Sequence, residues 1–297
     1  MKVFVTGATG FIGTAVVSEL RQAGHNVVGL ARSDEAAAKL VAAGAEAHRG
    51  SLQDDRSLAA GVQACDGVIH LAHDMGEGSL ADSMDLDRKG IAALVKALAG
   101  SGKVLVGTTG IMLMTPGPIS TEKDASDPAS PAGFRVPSEN DVLAAAEQDV
   151  RACVVRLAPS VHGEGDAKGF ARIFTDLARR TGRSAYVGEG GNCWTAVHRS
   201  DAARLFRLAM ERGEPGARYH GAAEVALPFR EIAEAIGEAL GLPVVSLSGR
   251  EADNHFGWLR GFVATDNPTS NAITRDTLGW EPTGPGLLED IRAGFYL

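Results

Sequence analysis

The chain has 297 residues, 44% hydrophobic and 22% charged, enough apolar material to bury a large core in one α/β domain or two coupled lobes. Its 29 Lys and Arg against 37 Asp and Glu leave a formal charge of −8, and no basic block interleaved with aromatics occurs, so nucleic acid is not an expected partner. Cys65, Cys153 and Cys193 are far apart and form no CxxC or His-paired set, which predicts no metal site and fits a reducing, cytoplasmic setting.

The opening MKVFVTGATGFIG enters a strand pattern directly, without a signal peptide's apolar run, and no segment approaches the ~18 uninterrupted apolar residues of a membrane span. Strand runs KVFVT (2–6), NVVGLA (26–31), AEAH (45–48), DGVIHLA (66–72) and KVLVGTT (103–109) alternate with helical stretches running to Ala23, over 35–44, near Ser57 and over 79–100. This βα alternation predicts an α/β fold, a doubly wound parallel sheet with helices on both faces. The nearly continuous apolar cores VFV, VIHLA and VLVG fit strands buried on both sides, with a ligand crevice at their carboxyl ends. From Thr115 to Pro137 five prolines (Pro116, Pro118, Pro128, Pro131, Pro137) predict a long loop over the strand ends, either a functional cover or a plain surface connection. A helix over 139–149 and the strand ACVVRL follow; beyond Gly163, helices at 167–181, 200–212, 228–240 and 286–294 with short strands predict a smaller lobe partly interleaved with the sheet.

The strongest local signal is VTGATGFIG (5–13), where Gly7, Gly10 and Gly13 follow a strand and open a helix. Glycine permits the tight turn, the approach of a pyrophosphate and helix–strand packing, while the helix N-terminus faces negative charge; the alternative is an ordinary tight βα turn. The Gly-x-x-Gly-x-x-Gly spacing resembles the short-chain dehydrogenase/reductase superfamily. At the end of strand two, GLARSDE places Arg32 and Ser33 where an NAD-selective protein presents an acid. A guanidinium there grips a 2′-phosphate, so NADP(H) is the expected cofactor, with Arg32 as a solvated helix-cap neighbour and the nearby Asp34 weighing against it.

Further motifs extend the resemblance to the extended, NAD-dependent epimerase/dehydratase-like branch. GSLQDDRSL (50–58) resembles GDLxDxxSL with Ser51 in place of Asp, and VIHLAH (68–73) resembles VIHLAA. RLAPSVHGEGD (156–166) resembles RxxxVYGPGD, WTAVHRSDAARLFRLAM (194–210) resembles VHVDDVARA, and LGWEP (278–282) resembles LGWxP. The resemblance implies a Rossmann-type NADP-binding domain over 1–160, partly rejoined by segments near 190–222, and a substrate lobe mainly over 161–297. It implies cofactor contacts from Gly7, Thr9, Gly10, Phe11, Ile12 and Gly13 of the glycine turn and from Arg32, Ser33, Ser51 and Leu52 around the adenosine. Leu71, Ala72 and His73, then Thr108, Pro159 and Ser160, complete the implied set. A small-molecule substrate is implied, and a homodimer through helices flanking the sheet stays open.

The same resemblance exposes a gap. Thr109 of VLVGTTG takes the place of the Ser/Thr that hydrogen-bonds a substrate carbonyl, but the expected Tyr-x-x-x-Lys falls in SPAGFRVPSEN, where either Phe134 and Ser138 or Arg135 and Glu139 occupy the two positions. No Tyr occurs before Tyr186, so this resembles an atypical member without the dyad. His162, at the Tyr of VYG, and His73, with Asp74 as an orienting carboxylate, are the candidates to replace the proton donor. The alternative for each is a satisfied hydrogen-bonding residue. His198 and Asp201 read as a structural brace, Cys65 and Cys153 as core, and Cys193 as a residue that could edge the pocket. Arg135 or Glu139 could anchor a polar substrate or form a surface pair, and Trp194, Trp258 and Phe256 either wall an apolar site or pack in the core. Two functions follow: an NADP(H)-dependent oxidoreductase moving hydride to or from the carbonyl or alcohol of a small metabolite, with an epimerase-like variant, or a catalytically silent NADP(H) sensor that reports to a protein partner.

Overall fold

The computed structural model of the chain describes residues 1–73 and 79–297. Its first half runs β1 (Lys2–Thr6), α1 (Phe11–Gln22), β2 (Asn26–Ala31), α2 (Asp34–Ala42), β3 (Glu46–Arg49), α3 (Asp55–Gln63), β4 (Gly67–His70), α4 (Leu80–Leu98), β5 (Val104–Gly110), α5 (Val136–Ala144) and β6 (Arg151–Leu157). There follow β7 (Ser160–His162), α6 (Phe170–Thr181), β8 (Ser184–Val187), β9 (Cys193–His198), α7 (Arg199–Arg212), β10 (Arg218–Gly221), β11 (Glu224–Pro228) and α8 (Phe229–Leu240). The chain closes with β12 (Val244–Leu247), α9 (Gly249–Phe256), α10 (Arg260–Val263), α11 (Ala272–Leu278) and α12 (Leu287–Arg292).

Seven strands form one parallel sheet in the order β10-β6-β5-β4-β1-β2-β3. Strand order reverses between β1 and β4, so the turns leaving these two strands diverge and open a crevice at their carboxyl ends. Val3, Val5, Val16 and Leu20 pack with Phe206 and Met210 on one face of the sheet, and Phe4, Leu58, Leu94 and Val154 on the other. A third core, centred on Phe174, Trp194 and Phe229, lies among α6, α8, β9 and the small sheets β11-β9-β7 and β12-β8. Among the described residues no helix is long and apolar enough to cross a membrane.

Helix α5 begins at Val136, three residues before its expected start, because Pro137 sits in the first turn, where no N–H is required. Helix α6 begins at Phe170 rather than 167, since the Asp166 carboxylate accepts from the backbone N–H groups of Lys168 and Gly169 and holds them in a turn. The short α9, α10 and α11 lie outside the sequence expectation; four to eight residues give little periodicity, and packing stabilises them. Trp280 of LGWEP is fully buried and donates from Nε1 to the Asp201 carbonyl at 2.9 Å. The Asp201 carboxylate in turn accepts from the backbone N–H groups of Thr283 (3.0 Å) and Gly284 (2.7 Å), which fastens the C-terminal segment to α7.

One buried ion pair anchors the long connection from β5 to α5. Glu139 of α5 accepts from Arg156 of β6 through Nη2 (2.6 Å) and Nε (3.0 Å), from Ser126 Oγ of the connection (2.6 Å) and from Thr109 Oγ1 of β5 (2.8 Å). Arg156 also donates from Nη1 to the Asp124 carbonyl and from Nη2 to Ser126, so the proline-rich segment is bound at two points. Burial opposes the charged form of Glu139, but the hydrogen bonds and charge of Arg156, then Ser126 and Thr109, outweigh it and hold the carboxyl at about 2.

Replacing Asp201 by Ala orphans two N–H groups, and a cost of about 3 kcal/mol is expected, read as a lower urea midpoint at unchanged slope. A Glu139 pKa depressed from 4.5 to about 2 contributes stability that is full above about pH 4.5 and lost as pH falls toward 2, on the order of 3 kcal/mol. Urea midpoints at pH 5 and pH 3 should therefore fall further for the wild type than for Glu139→Gln; equal falls would remove Glu139 as the titrating group.

Candidate functional site

The turn after β1 has the geometry its glycines predict. Gly7 has φ +67°, and a Cβ there would come within 2.7 Å of the Ala72 nitrogen at the end of β4, while a Cβ at Gly13 would collide with the Gly7 carbonyl. Gly10 caps α1 with no side chain on the helix N-terminus, leaving its N–H groups directed at whatever occupies the crevice. A cleft of about 600 Å³ extends from this turn, bounded by Gly7, Thr9 and Gly10, by Leu71, Ala72 and His73, and by Ser51 and Leu52. Arg32 and Ser33 form its distal rim. Shape and a bare helix N-terminus fit an extended dinucleotide with its pyrophosphate over Gly10.

At the rim, Ser33 accepts from the Ala36 N–H at 3.1 Å as the N-cap of α2. Asp34 is turned to Arg49 at 3.4 Å, and Glu35 is paired with Lys39 at 2.8 Å, so the acids that follow Arg32 are each matched to a cation. The remaining expected cofactor residues stand behind the cleft's lining. Phe11 lies under the Arg199 guanidinium at 5.0 Å, Ile12 packs on the sheet core, and Thr108 donates from Oγ1 to the His70 carbonyl at 2.7 Å. Pro159 is half-buried, and Ser160 is buried in β7, paired with Ala196.

The three proposed catalytic side chains separate. His73 lines the cleft; Asp74, expected to orient it, lies outside the described residues. Thr109 is buried with its hydroxyl proton directed to Glu139, not toward the cleft. His162 is a correction: it is buried, its Nδ1 is 2.6 Å from Asp290 Oδ2 of α12, and its ring packs edge-on against His198, 5.6 Å between centroids. Burial, with the neighbouring His198, pushes its imidazole down to about 3, so at neutral pH it is uncharged and away from the cleft lining. His198 caps α7 by accepting from the Ser200 N–H, as a structural residue does.

Trp194 and Phe256 are core residues and Trp258 is 69% exposed, so no common aromatic wall forms from these three. Burial pushes the Cys65 thiol up to about 11 and the Cys153 thiol up to about 12, and raises Cys193, leaving all three protonated.

A second polar network lies at the ends of β1, β4 and β5. His70 Nδ1 is 2.7 Å from Thr6 Oγ1, and its Nε2 is 3.4 Å from Asp87 Oδ1 of α4. Because the carboxylate can only accept, Nε2 carries the proton and the Thr6 hydroxyl donates to Nδ1. Burial acts to raise Asp87, but the hydrogen bonds of His70 and Ser138 and the charge of Arg135 hold it below its ordinary value. Arg135, at the mouth of α5, donates from Nη2 to the Thr108 carbonyl at 3.2 Å. Its pKa is lowered by burial against the opposing pull of Asp87 and Glu139. Both registers read for the Tyr-x-x-x-Lys positions place residues here: Ser138 on Asp87, and Glu139 on Thr109 and Arg156.

Sequence reading missed Lys39, Gln53 and Lys168 on the cleft, and His70 and Asp87 beneath it. Asp87 carried a signal, an acid on the buried stripe of α4 between Met84 and Ile91. Lys168 carried none, since it reaches the cleft from a segment far along the chain.

Comparison with known proteins fits this geometry. A relative from Saccharomyces cerevisiae described as "Uncharacterized protein YLL056C" is 46% identical over 299 residues, covering 100% of both chains. The 2-alkyl-3-oxoalkanoate reductase of Stenotrophomonas maltophilia is 29% identical over 82% of this chain and 77% of its own. The structure of Thermus thermophilus UDP-glucose 4-epimerase in complex with NAD superposes with a TM-score of 0.77 at 22% identity, over 99% of this chain and 98% of that one, a likeness of fold. The model of the NAD dependent epimerase/dehydratase family matches residues 3–221, and the chain belongs to that family.

Proposed function

We propose that the chain is an NADP(H)-dependent oxidoreductase that reduces the carbonyl of a small metabolite, or oxidises the corresponding alcohol, at an atypical active site. The observation that carries this is the cleft: a glycine turn and open helix N-terminus at one end and, at the other, a rim where Arg32 stands, with Glu35 paired to Lys39 and Asp34 to Arg49. A 2′-phosphate needs a cationic rim, and an acid pointed into the cleft would repel it. The 2-alkyl-3-oxoalkanoate reductase relative supports carbonyl chemistry as the reaction class.

Bound in this cleft, a reduced nicotinamide supplies a hydride. The glycine turn and α1 would hold its pyrophosphate, and the strand end Leu71–His73 would bound the cleft beside it. In this reading His73, on the cleft wall, hands a proton to the substrate oxygen, in the role usually taken by Tyr. Thr109 keeps the strand end in position by fixing α5 through Glu139. Ordering of the proline-rich connection by Ser126 and Arg156 keeps a covering segment in place over β5 and β6.

In a single turnover with protein and NADPH near equal concentration, absorbance of the reduced nicotinamide should fall stoichiometrically with one class among aldehydes, ketones, enones and imines. No loss with bound NADPH would turn the reading toward a cofactor sensor. Arg32→Ala should weaken NADPH about tenfold, with NADH changed less than about twofold; equal effects on both would remove the 2′-phosphate assignment.

A further inference from the structure

The connection between β7 and α6 brings a cation to the cleft. Lys168 lines it together with Gly7, Thr9 and Gly10, although it lies far along the chain from them. The loop that carries Lys168 is held on two sides. On one, the buried Asp166 carboxylate accepts from the backbone N–H groups of Lys168 (3.2 Å) and Gly169 (2.7 Å), and a Cβ at Gly169 would collide with it. Tyr296, also buried, accepts from the Gly163 N–H and stands 3.4 Å from Asp166 Oδ2. On the other side, Arg199 donates to the Glu164 carbonyl at 2.7 Å while its guanidinium lies 5.0 Å from the ring of Phe11, the residue that opens α1 after Gly10. The loop is thus anchored to the N-terminal end of α1.

The charge of Lys168 has no internal use. Its side chain is exposed, and its ammonium makes no ion pair or hydrogen bond among the described residues. Lys39, also on the cleft, is committed to Glu35, and Arg199 to the Glu164 carbonyl and Phe11. The glycine turn, GATGFIG over 7–13, contains no charged residue, so it offers a pyrophosphate backbone N–H groups but no cation. We propose that Lys168 is a pyrophosphate-binding residue, its ammonium pairing with the phosphate oxygens that the N-terminus of α1 receives. The inference rests on the dinucleotide reading of the cleft and adds the cation that the glycine turn lacks. An ammonium on a flexible stem acts on phosphate as a point charge and donates a charge-assisted hydrogen bond. Because both nicotinamide dinucleotides carry the pyrophosphate, Lys168 strengthens binding without choosing between them. Arg32 is assigned the opposite part, selection by the 2′-phosphate.

Nucleotide fluorescence titrations of wild type, Lys168→Gln and Lys168→Arg test this apart from turnover. Lys168→Gln should raise the Kd of NADPH and of NADH by the same factor, about tenfold, whereas Lys168→Arg, which keeps the charge, should stay within about threefold of wild type. Unchanged Kd values in Lys168→Gln overturn the inference, and so does a loss confined to NADPH, which would place Lys168 on the 2′-phosphate. A second readout is direct: saturating NAD⁺ should slow the labelling of Lys168 by acetic anhydride and leave Lys123, exposed and away from the cleft lining, labelled at an unchanged rate. Labelling of Lys168 at the same rate with and without NAD⁺ also overturns it. If both nucleotides bind with this dependence on Lys168 while wild type oxidises NADPH with no carbonyl, the reductase reading fails and the pyrophosphate contact stands. If wild type turns over and Lys168→Gln binds both nucleotides as wild type does, the reverse holds.

Discussion

The ion pair between Glu139 and Arg156 is the constraint on which the carboxyl ends of β5 and β6 depend. Burying two opposite charges gains little by itself, because desolvation cancels most of the attraction. Here both groups are nearly saturated: the carboxylate accepts from Arg156, Ser126 and Thr109, and the guanidinium also reaches the Asp124 carbonyl. What the pair contributes is position. It fixes α5 against β5 and β6, draws the proline-rich connection over the strand ends, and sets the rotation of α5 that places Ser138 on Asp87 and Arg135 on Thr108.

That arrangement redistributes roles among residues whose types would suggest otherwise. A threonine at the end of β5 reads as a substrate contact, yet next to an ionised Glu139 it becomes a structural donor. A histidine at the end of β7 reads as a neutral-pH acid, yet beside Asp290 and away from water it is a fixed neutral ring. In both cases the neighbour decides, and the neighbour arrives from a distant element. Arg135, one turn before Glu139, is spent in the same way, donating from Nη2 to the Thr108 carbonyl.

How far these features were legible follows from the range of the interactions that make them. The alternating strands and helices, the glycine turn and the rim at Arg32 are set by contiguous residues, and the sheet and the turn geometry follow the sequence expectation. Helix starts shifted where one side chain intervened, at Pro137 and at Asp166. The fate of His162 depended on α12, 128 residues further on, and that of Thr109 on a glutamate 30 residues away. Periodicity and spacing carry no record of such pairings, whereas an acid such as Asp87 inside an apolar helix stripe does announce that a buried partner exists.

Charge placement on the cleft follows the same logic at longer range. The chain carries a formal −8 and would repel a polyanionic dinucleotide at a distance. Along the cleft the sign reverses: Arg32, Lys39 and Lys168 line it against the carboxylate of Glu35. Lys168 reaches it from the Asp166 turn, and the neighbouring Glu164 carbonyl is held by Arg199, whose guanidinium also covers Phe11 at the start of α1. The C-terminal half thus supplies a cation to the cleft and a brace to α1. Since screening confines exposed charges to about 8–10 Å in physiological salt, these local cations govern the bound nucleotide more than the net charge does. An acidic protein with a cationic cleft is therefore selective by position: it repels polyanions over its surface and accepts one where the sheet's reversal opens a crevice.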